Sequence, residues 1–158
     1  MTDPVLPFLD EHDVLVAASP DTTWDALVEH VAGTSRSPAA LAALALGAQP
    51  HRPVGTPSSV GAAVPGFAVT EAVRGSRLAL AGRHRFSTYA LVFTLAPHPL
   101  GTRLAAASWA DFPRRRGRAY RALVVGTGGH RVAVHRILTA VRRRAERAAT
   151  TGPVAASG

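Results

Sequence analysis

The segment from Phe67 to Phe112, FAVTEAVRGSRLALAGRHRFSTYALVFTLAPHPLGTRLAAASWADF, predicts a β-meander. Strands are expected at 67–73, 77–86, 89–95 and 102–112, with turns between them. The second of these alternates strictly, with Leu78, Leu80, Gly82, His84 and Phe86 on one face and Arg77, Ala79, Ala81, Arg83 and Arg85 on the other. Alternation with a period of two over consecutive strands is typical of an antiparallel sheet with one buried face.

Helix and turn signals precede this sheet. A short β-rich run at 12–18 leads into the turn Ser19-Pro20-Asp21, and apolar residues then recur at helical spacing up to Gly33, with Asp21 or Thr22 as the expected N-cap. A second short helix is expected from Pro38 to Gly47, capped by Ser37. The segment 48–66 contains four prolines and three glycines, so it predicts at most one short edge strand, within 57–64.

A long, arginine-rich helix is expected after Phe112. Its apolar stripe consists of Tyr120, Leu123, Val124, Val134, Ile137, Leu138 and Val141. Three glycines within Gly126-Thr127-Gly128-Gly129 interrupt the stripe, at a cost of roughly 2–3 kcal/mol relative to alanine in a helix interior. These residues are either a turn between two helices or a place where one helix is closely approached by the sheet or the cavity contents. The second alternative is favoured here.

The length of 158 residues suits one domain, which we expect at 1–149 with a disordered tail at 150–158. The chain has no cysteine, which excludes disulfides, thiolate nucleophiles and cysteine-ligated metals. No window approaches 18 uninterrupted apolar residues, and the N-terminal residues lack a signal-peptide pattern. A cytoplasmic protein without a membrane span is therefore expected.

The charge is strongly basic and unevenly distributed. All 18 basic residues are arginine, the net charge is +8, and eleven of the arginines follow Pro113 together with a single acid, Glu146. A solvated helix face is the simpler interpretation, and an acidic partner is the alternative. The densest cluster is Arg114, Arg115, Arg116 and Arg118, which could hold an anionic group at the mouth of a cavity. Nucleic-acid binding is disfavoured because no recognised nucleic-acid module accompanies the cluster.

The order strand, two short helices, β-meander and long C-terminal helix resembles the START-like superfamily, also called SRPBCC or birch-pollen-allergen-like. The resemblance rests on the opening strand with Ser19-Pro20-Asp21-Thr22-Thr23-Trp24 and on the closing region 112–146. It implies an α+β helix-grip fold, in which a curved antiparallel sheet wraps around a long C-terminal helix with an apolar cavity between them. Members of this superfamily bind lipids, sterols, polyketides and other apolar molecules, and some catalyse cyclisation or hydrolysis.

In a helix grip, the concave face of the sheet and the inner stripe of the last helix line the cavity. The residues expected there are Leu80, His84, Phe86, Tyr89, Leu91, Phe93, Ser108 and Phe112 on the sheet, and Tyr120, Leu123, Val124, Thr127 and Val134 on the helix. Such a wall is mostly apolar with a few polar points, as small-molecule sites usually are. The alternative is that these side chains simply fill the core.

His84 and Tyr89 are the candidate catalytic residues. An inward histidine can orient a ligand or act as a general base near neutral pH, although it more often hydrogen-bonds a neighbour. No metal and no cofactor are expected. His130 and His135 are five residues apart with no nearby acid in sequence, and Gly126–Gly129 lacks the Lys-Ser/Thr of a phosphate loop.

The favoured function is the binding or carriage of a hydrophobic small molecule without catalysis. Paired carboxylates and a Gly-x-Ser-x-Gly elbow are absent from the sequence, so nothing in it requires an enzyme. A polyketide cyclase or aromatase-like enzyme that uses the same cavity is the first alternative, with His84 or Tyr89 moving protons. A nucleic-acid or protein interaction module that uses the arginine face is the second.

Overall fold

A computed structural model of the chain describes residues 5–34, 45–113, 117–119, 121–122 and 125–151. The elements in chain order are β1 (Phe8–Val16), α1 (Pro20–Gly33), β2 (Ala63–Val64), β3 (Phe67–Val73), β4 (Arg77–His84), β5 (Ser87–His98), β6 (Gly101–Asp111) and α2 (Gly129–Thr151). None of the helices in these ranges has the length and apolar character that crossing a membrane requires. The second short helix predicted at 38–47 falls mostly on 35–44, outside the described residues.

The six strands form one antiparallel sheet in the order β1-β6-β5-β4-β3-β2. The four strands of the predicted meander are β3 to β6, and each pairs with the next. The bounds of β4 and β5 differ from the prediction: β4 ends at His84, so Phe86 lies in the turn and not on the strand, and β5 runs from Ser87 to His98 instead of 89–95. The short strand predicted within 57–64 is β2, which lies at the sheet edge where a proline-rich segment is tolerated. The predicted sheet and the long C-terminal helix are therefore confirmed.

β1 differs from its predicted bounds of 12–18. It begins at Phe8 because its first half pairs with β6, from Phe8 opposite Trp109 to Val16 opposite Thr102. The acidic residues in this half do not alternate with apolar ones, so the sequence carried no strand signal there. Ala17 and Ala18 lie beyond the strand, where the carbonyl of Ala18 accepts a 2.7 Å hydrogen bond from Thr102 Oγ1.

The N-cap of α1 is Ser19, not Asp21 or Thr22 as predicted. Ser19 Oγ accepts a 3.2 Å hydrogen bond from the Thr22 amide, and its own backbone is extended. Pro20 occupies the first helical turn, where its missing N–H would have no helical partner in any case. The N-cap therefore lies two residues before Asp21 and three residues before Thr22 in the chain. The helix ends at Gly33, as predicted.

The prediction that Gly126–Gly129 gives one continuous helix room was wrong. Residues 125–128 form a turn, and α2 starts at Gly129. Gly128 has a φ of +76°, which side chains with a Cβ rarely adopt, and no atom lies within 4 Å of the position its Cβ would take. This glycine serves backbone conformation and not close packing. Residues 117–119 and 121–122, which precede the turn in the chain, are also helical.

α2 runs alongside β1 on the concave face of the sheet. Near its start His130 contacts Asp10, and near its end Glu146 Oε1 accepts a 3.1 Å hydrogen bond from the Ala17 amide. Between these points α1 and α2 bury one core against the sheet. Its largest fully buried side chains include Trp24 and Leu27 of α1, Leu78, Phe93 and Leu104 of the sheet, and Leu138 and Val141 of α2.

Candidate functional site

Pairing across the strands defines which residues share the concave face. Partners in antiparallel strands point to the same side, so the core residues Leu78 and Phe93 form one row. The next row contains Leu80, Leu91, Ser108 and Asp10, and the row after it contains Gly82, Tyr89 and Ala110. We call this further part of the concave face the distal concave face, comprising Phe67, Leu80, His84, Phe86, Tyr89, Leu91 and Ser108.

Burial changes between the core row and the distal concave face. Phe93 is 1% exposed and belongs to the core, whereas Leu91, two residues before it on the same strand and the same side, is only half-buried. Phe67 and Tyr89 are half-buried as well. Within the distal concave face Leu80 and Ser108 are buried, so its half-buried part consists of Phe67, His84, Phe86, Tyr89 and Leu91.

Four rings cluster on the distal concave face. Tyr89 lies between Phe67, at a centroid distance of 5.0 Å, and His84, at 5.4 Å. His84 is in turn 6.3 Å from Phe86, with the two planes at 72°. These are separations at which aromatic side chains attract each other beyond the burial of their surface. The rings therefore form one continuous wall.

Tyr89 is anchored to the backbone of the turn before β3. Its hydroxyl donates a 2.8 Å hydrogen bond to the carbonyl of Gly66. Gly82 lies opposite Tyr89 in the ladder, and a Cβ there would collide with the Gly66 carbonyl and press on the Tyr89 ring. A glycine at 82 is therefore needed for this close approach, and the Tyr89 ring has a fixed position.

His84 is also engaged by the backbone. Its Nδ1 accepts a 3.1 Å hydrogen bond from the Phe86 amide, so the neutral ring carries its proton on Nε2. Burial lowers the pKa of His84, which favours that neutral form. In this tautomer the ring is a hydrogen-bond donor through Nε2, and its basic nitrogen is already occupied. The arrangement suits a residue that positions a group better than one that removes a proton.

Ser108 is the polar residue in the second row. It is 2% exposed, faces the concave side between Leu91 of β5 and Asp10 of β1, and its hydroxyl has no hydrogen-bond partner among the described residues. Buried hydroxyl groups are almost always hydrogen-bonded, so this one is unusual.

The other predicted site residues are distributed differently. Phe93 and Val134 are in the core, Phe112 is half-buried just past β6, and Thr127 is exposed in the turn before α2. Arg118 is exposed. Tyr120, Leu123 and Val124, and the arginines Arg114, Arg115 and Arg116, lie outside the described residues.

A polar cluster beside Ser108 was missed by the sequence analysis. Both carboxylate oxygens of Asp10 accept hydrogen bonds from imidazoles, one from His12 Nε2 at 3.2 Å and the other from His130 Nε2 at 3.1 Å. The ring of His135 lies 4.8 Å from that of His12. Within the described ranges no group of three or more histidine or acidic side chains is arranged to hold a metal ion. The spacing of His12 and Asp10, two apart on one strand, was the available signal for this cluster.

The opposite, convex face of the sheet carries a groove that the sequence did not indicate. The groove has a volume of about 610 Å³ and is lined by small side chains, including Ala79, Ala81 and Ala90, and also by Leu80 and Tyr89. Thr88 lies at its wall, and the N-terminal residues Val5 and Leu6 border it. This groove is a second place where a small molecule could bind, and any binding experiment has to distinguish it from the distal concave face.

Comparison with known proteins shows the fold. A protein from Chromobacterium violaceum is similar in structure, with a TM-score of 0.58 and 15% sequence identity over 89% of this chain and 99% of that one. A protein from Nitrosomonas europaea has a TM-score of 0.57 and 14% identity, covering 94% and 99%. The protein Ara h 8.0201 has a TM-score of 0.53 and 10% identity, covering 86% and 95%.

No protein-family model matches the chain, and no curated protein does. The structural likeness, together with the antiparallel sheet and the long C-terminal helix, confirms the predicted helix-grip fold.

Proposed function

We propose that the chain binds a hydrophobic small molecule, of lipid, sterol or polyketide type, on the distal concave face. One observation carries the proposal: apolar and aromatic side chains on the core-facing side of the sheet, Phe67, Tyr89 and Leu91 among them, are only half-buried. The same side of the sheet is fully buried where α1 and α2 pack on it. The helix-grip fold commonly accommodates hydrophobic ligands, which supports the same conclusion.

The driving force for binding would be the removal of this apolar surface from water. Each square ångström buried contributes about 25 cal/mol, and aromatic side chains offer the largest areas. Because Tyr89 is held by Gly66 and His84 by the Phe86 amide, the wall is preorganised and loses little side-chain freedom when a ligand packs on it.

The same hydrogen bonds favour binding over catalysis. The Tyr89 hydroxyl already donates a hydrogen bond to the Gly66 carbonyl, and the Nδ1 of His84 already accepts a hydrogen bond from the Phe86 amide. A proton-transfer role for either residue would require these bonds to break first. We therefore propose a carrier or sensor, with Tyr89 and His84 shaping the site.

The test is a fluorescence titration with N-phenyl-1-naphthylamine, a neutral apolar probe that brightens in apolar surroundings. Two variants enlarge side chains on opposite faces of β5. Leu91→Trp fills the distal concave face, and Thr88→Trp, its matched control, fills the groove on the convex face. The probe's Kd should rise about tenfold or more in Leu91→Trp, a loss of about 1.4 kcal/mol, and stay unchanged in Thr88→Trp.

Both variants are first compared with the wild type by circular dichroism and thermal melting, so that loss of binding is distinguished from unfolding. If Thr88→Trp abolishes binding and Leu91→Trp does not, the probe occupies the convex groove and the proposal is wrong. Absence of probe binding to the wild-type protein would equally contradict it. Native mass spectrometry of protein purified from its own host would then identify the chemical class of a bound ligand.

A further inference from the structure

The hydroxyl of Ser108 is a buried polar group that has no hydrogen-bond partner among the residues the structure describes. The residue is 2% exposed, and no described atom accepts from or donates to its Oγ. Burial of such a group costs the free energy of its desolvation, and no hydrogen bond compensates for that cost. A bound molecule can supply the missing hydrogen bond.

The neighbours of Ser108 define what kind of molecule this is. On one side Leu91 lies directly across the ladder, with Leu80 beyond it, so the hydroxyl borders the apolar wall proposed to bind the ligand. On the other side lies Asp10, whose carboxylate holds His12 and His130. Ser108 therefore marks the boundary between the apolar wall and a polar cluster.

The polar cluster argues against a ligand whose anionic end lies at Ser108. Asp10 is the ladder partner of Ser108 on β1, so an anionic group at Ser108 would lie beside a carboxylate, and like charges repel each other. A neutral hydroxyl avoids this repulsion. It can accept a hydrogen bond from Ser108 Oγ or donate one to it, so it satisfies the buried group in either orientation.

We propose that the ligand is a neutral molecule with an apolar body and a hydroxyl group, and that this hydroxyl hydrogen-bonds Ser108 Oγ. The inference rests on the proposed function, because it assigns a head group to a ligand of the distal concave face. The apolar body packs against the half-buried Leu91, and the hydroxyl points toward the side of the face where β1 lies. The Ser108 hydroxyl alone then makes the protein bind an alcohol more tightly than a hydrocarbon of equal size.

The experiment compares 1-naphthol with 1-methylnaphthalene, two probes of nearly equal size that differ in a hydroxyl or a methyl group. The Kd of each is measured by competition with N-phenyl-1-naphthylamine, for the wild type and for Ser108→Ala. Removing the serine hydroxyl should shift the ratio of the two constants about three- to tenfold toward 1-methylnaphthalene, the effect of one neutral hydrogen bond.

Thr23→Val is the matched control, because Thr23 Oγ1 is the other buried hydroxyl without a partner in the described part of the chain and lies on α1. The ratio should stay unchanged in this variant. If both probes bind and Ser108→Ala leaves the ratio unchanged, the hydroxyl assignment is overturned while the proposed binding function stands. If N-phenyl-1-naphthylamine binds and neither naphthalene competes with it, the hydroxyl assignment is likewise overturned. If N-phenyl-1-naphthylamine itself does not bind to the wild type, the binding function fails, and the assignment fails with it.

Discussion

Two buried threonines allow the effect of a hydrogen-bond partner to be measured within one protein. Thr23 on α1 and Thr102 on β6 are both fully buried. The Oγ1 of Thr102 donates to the carbonyl of Ala18 at 2.7 Å, whereas the Oγ1 of Thr23 has no partner among the described residues. Replacing each by valine keeps the shape of the side chain and exchanges the hydroxyl for a methyl group, so the two variants differ mainly in the bond that is lost.

The expected changes in unfolding free energy have opposite signs. Thr23→Val removes an unsatisfied buried hydroxyl and should stabilise the fold by about 1 kcal/mol, since threonine and valine have similar helix propensities. Thr102→Val removes a hydrogen bond and leaves the Ala18 carbonyl without it, which should cost about 2 kcal/mol. With about 2–4 °C per kcal/mol for a chain of this size, the Tm values should differ by roughly 6–12 °C.

The assay is urea unfolding followed by tryptophan fluorescence, because Trp24 is 1% exposed and sits one residue from Thr23. An unchanged m value would show that only stability, and not the denatured state, differs between the variants. If Thr23→Val destabilises the fold as much as Thr102→Val does, the Thr23 hydroxyl has a favourable role. A buried hydroxyl without a hydrogen-bond partner would then not indicate a missing ligand group, and this would refute the reasoning applied to Ser108.

Three further perturbations have defined outcomes. Gly82→Ala should destabilise the fold by about 2 kcal/mol or more, because its Cβ collides with the Gly66 carbonyl; a urea midpoint equal to that of the wild type would contradict this close approach. Burial lowers the pKa of His30 and His84 below the ordinary 6.5, so on acidification the unfolded chain takes up protons first. Stability should therefore fall as the pH drops below about 6.5, and His30→Gln should make thermal melts between about pH 8 and about pH 5 less pH-dependent, whereas an unaltered profile would show that His30 does not contribute. Asp10→Asn removes the charge that two imidazoles share and should cost about 1–2 kcal/mol, seen as faster amide hydrogen exchange in the first turn of α2; unchanged exchange there would show that the cluster does not hold the helix.

Local patterns were sufficient to predict most of the sheet. In β4 the assignment of Leu78 and Leu80 to the side that faces the core cluster follows from alternation, because side chains along a strand point to opposite faces. Burial itself does not alternate there, since Arg77 and Ala79 on the other face are buried as well. The end of α1 could also be predicted from the local sequence, because Gly33 itself is the signal that ends the helix. The start of α1 did not, because several residues in Ser19-Pro20-Asp21 can serve as N-cap and the position of the proline decides among them.

The fold class, the strands of the meander and the side of the sheet that faces the core could all be predicted from the amino-acid sequence. These features depend on residues that are close together in the chain, because the spacing of residues along a strand or helix decides to which face each side chain points. The tertiary structure alone decided which residues of that side enter the core and which remain half-buried, as Phe93 and Leu91 illustrate. It also brought Asp10 to His130, 120 positions away, and left the Ser108 hydroxyl with no hydrogen-bond partner in the described part of the chain. Burial and hydrogen bonding depend on which distant segments pack together, and that packing follows from the register of β1 on β6 and from the path of α2 across the sheet.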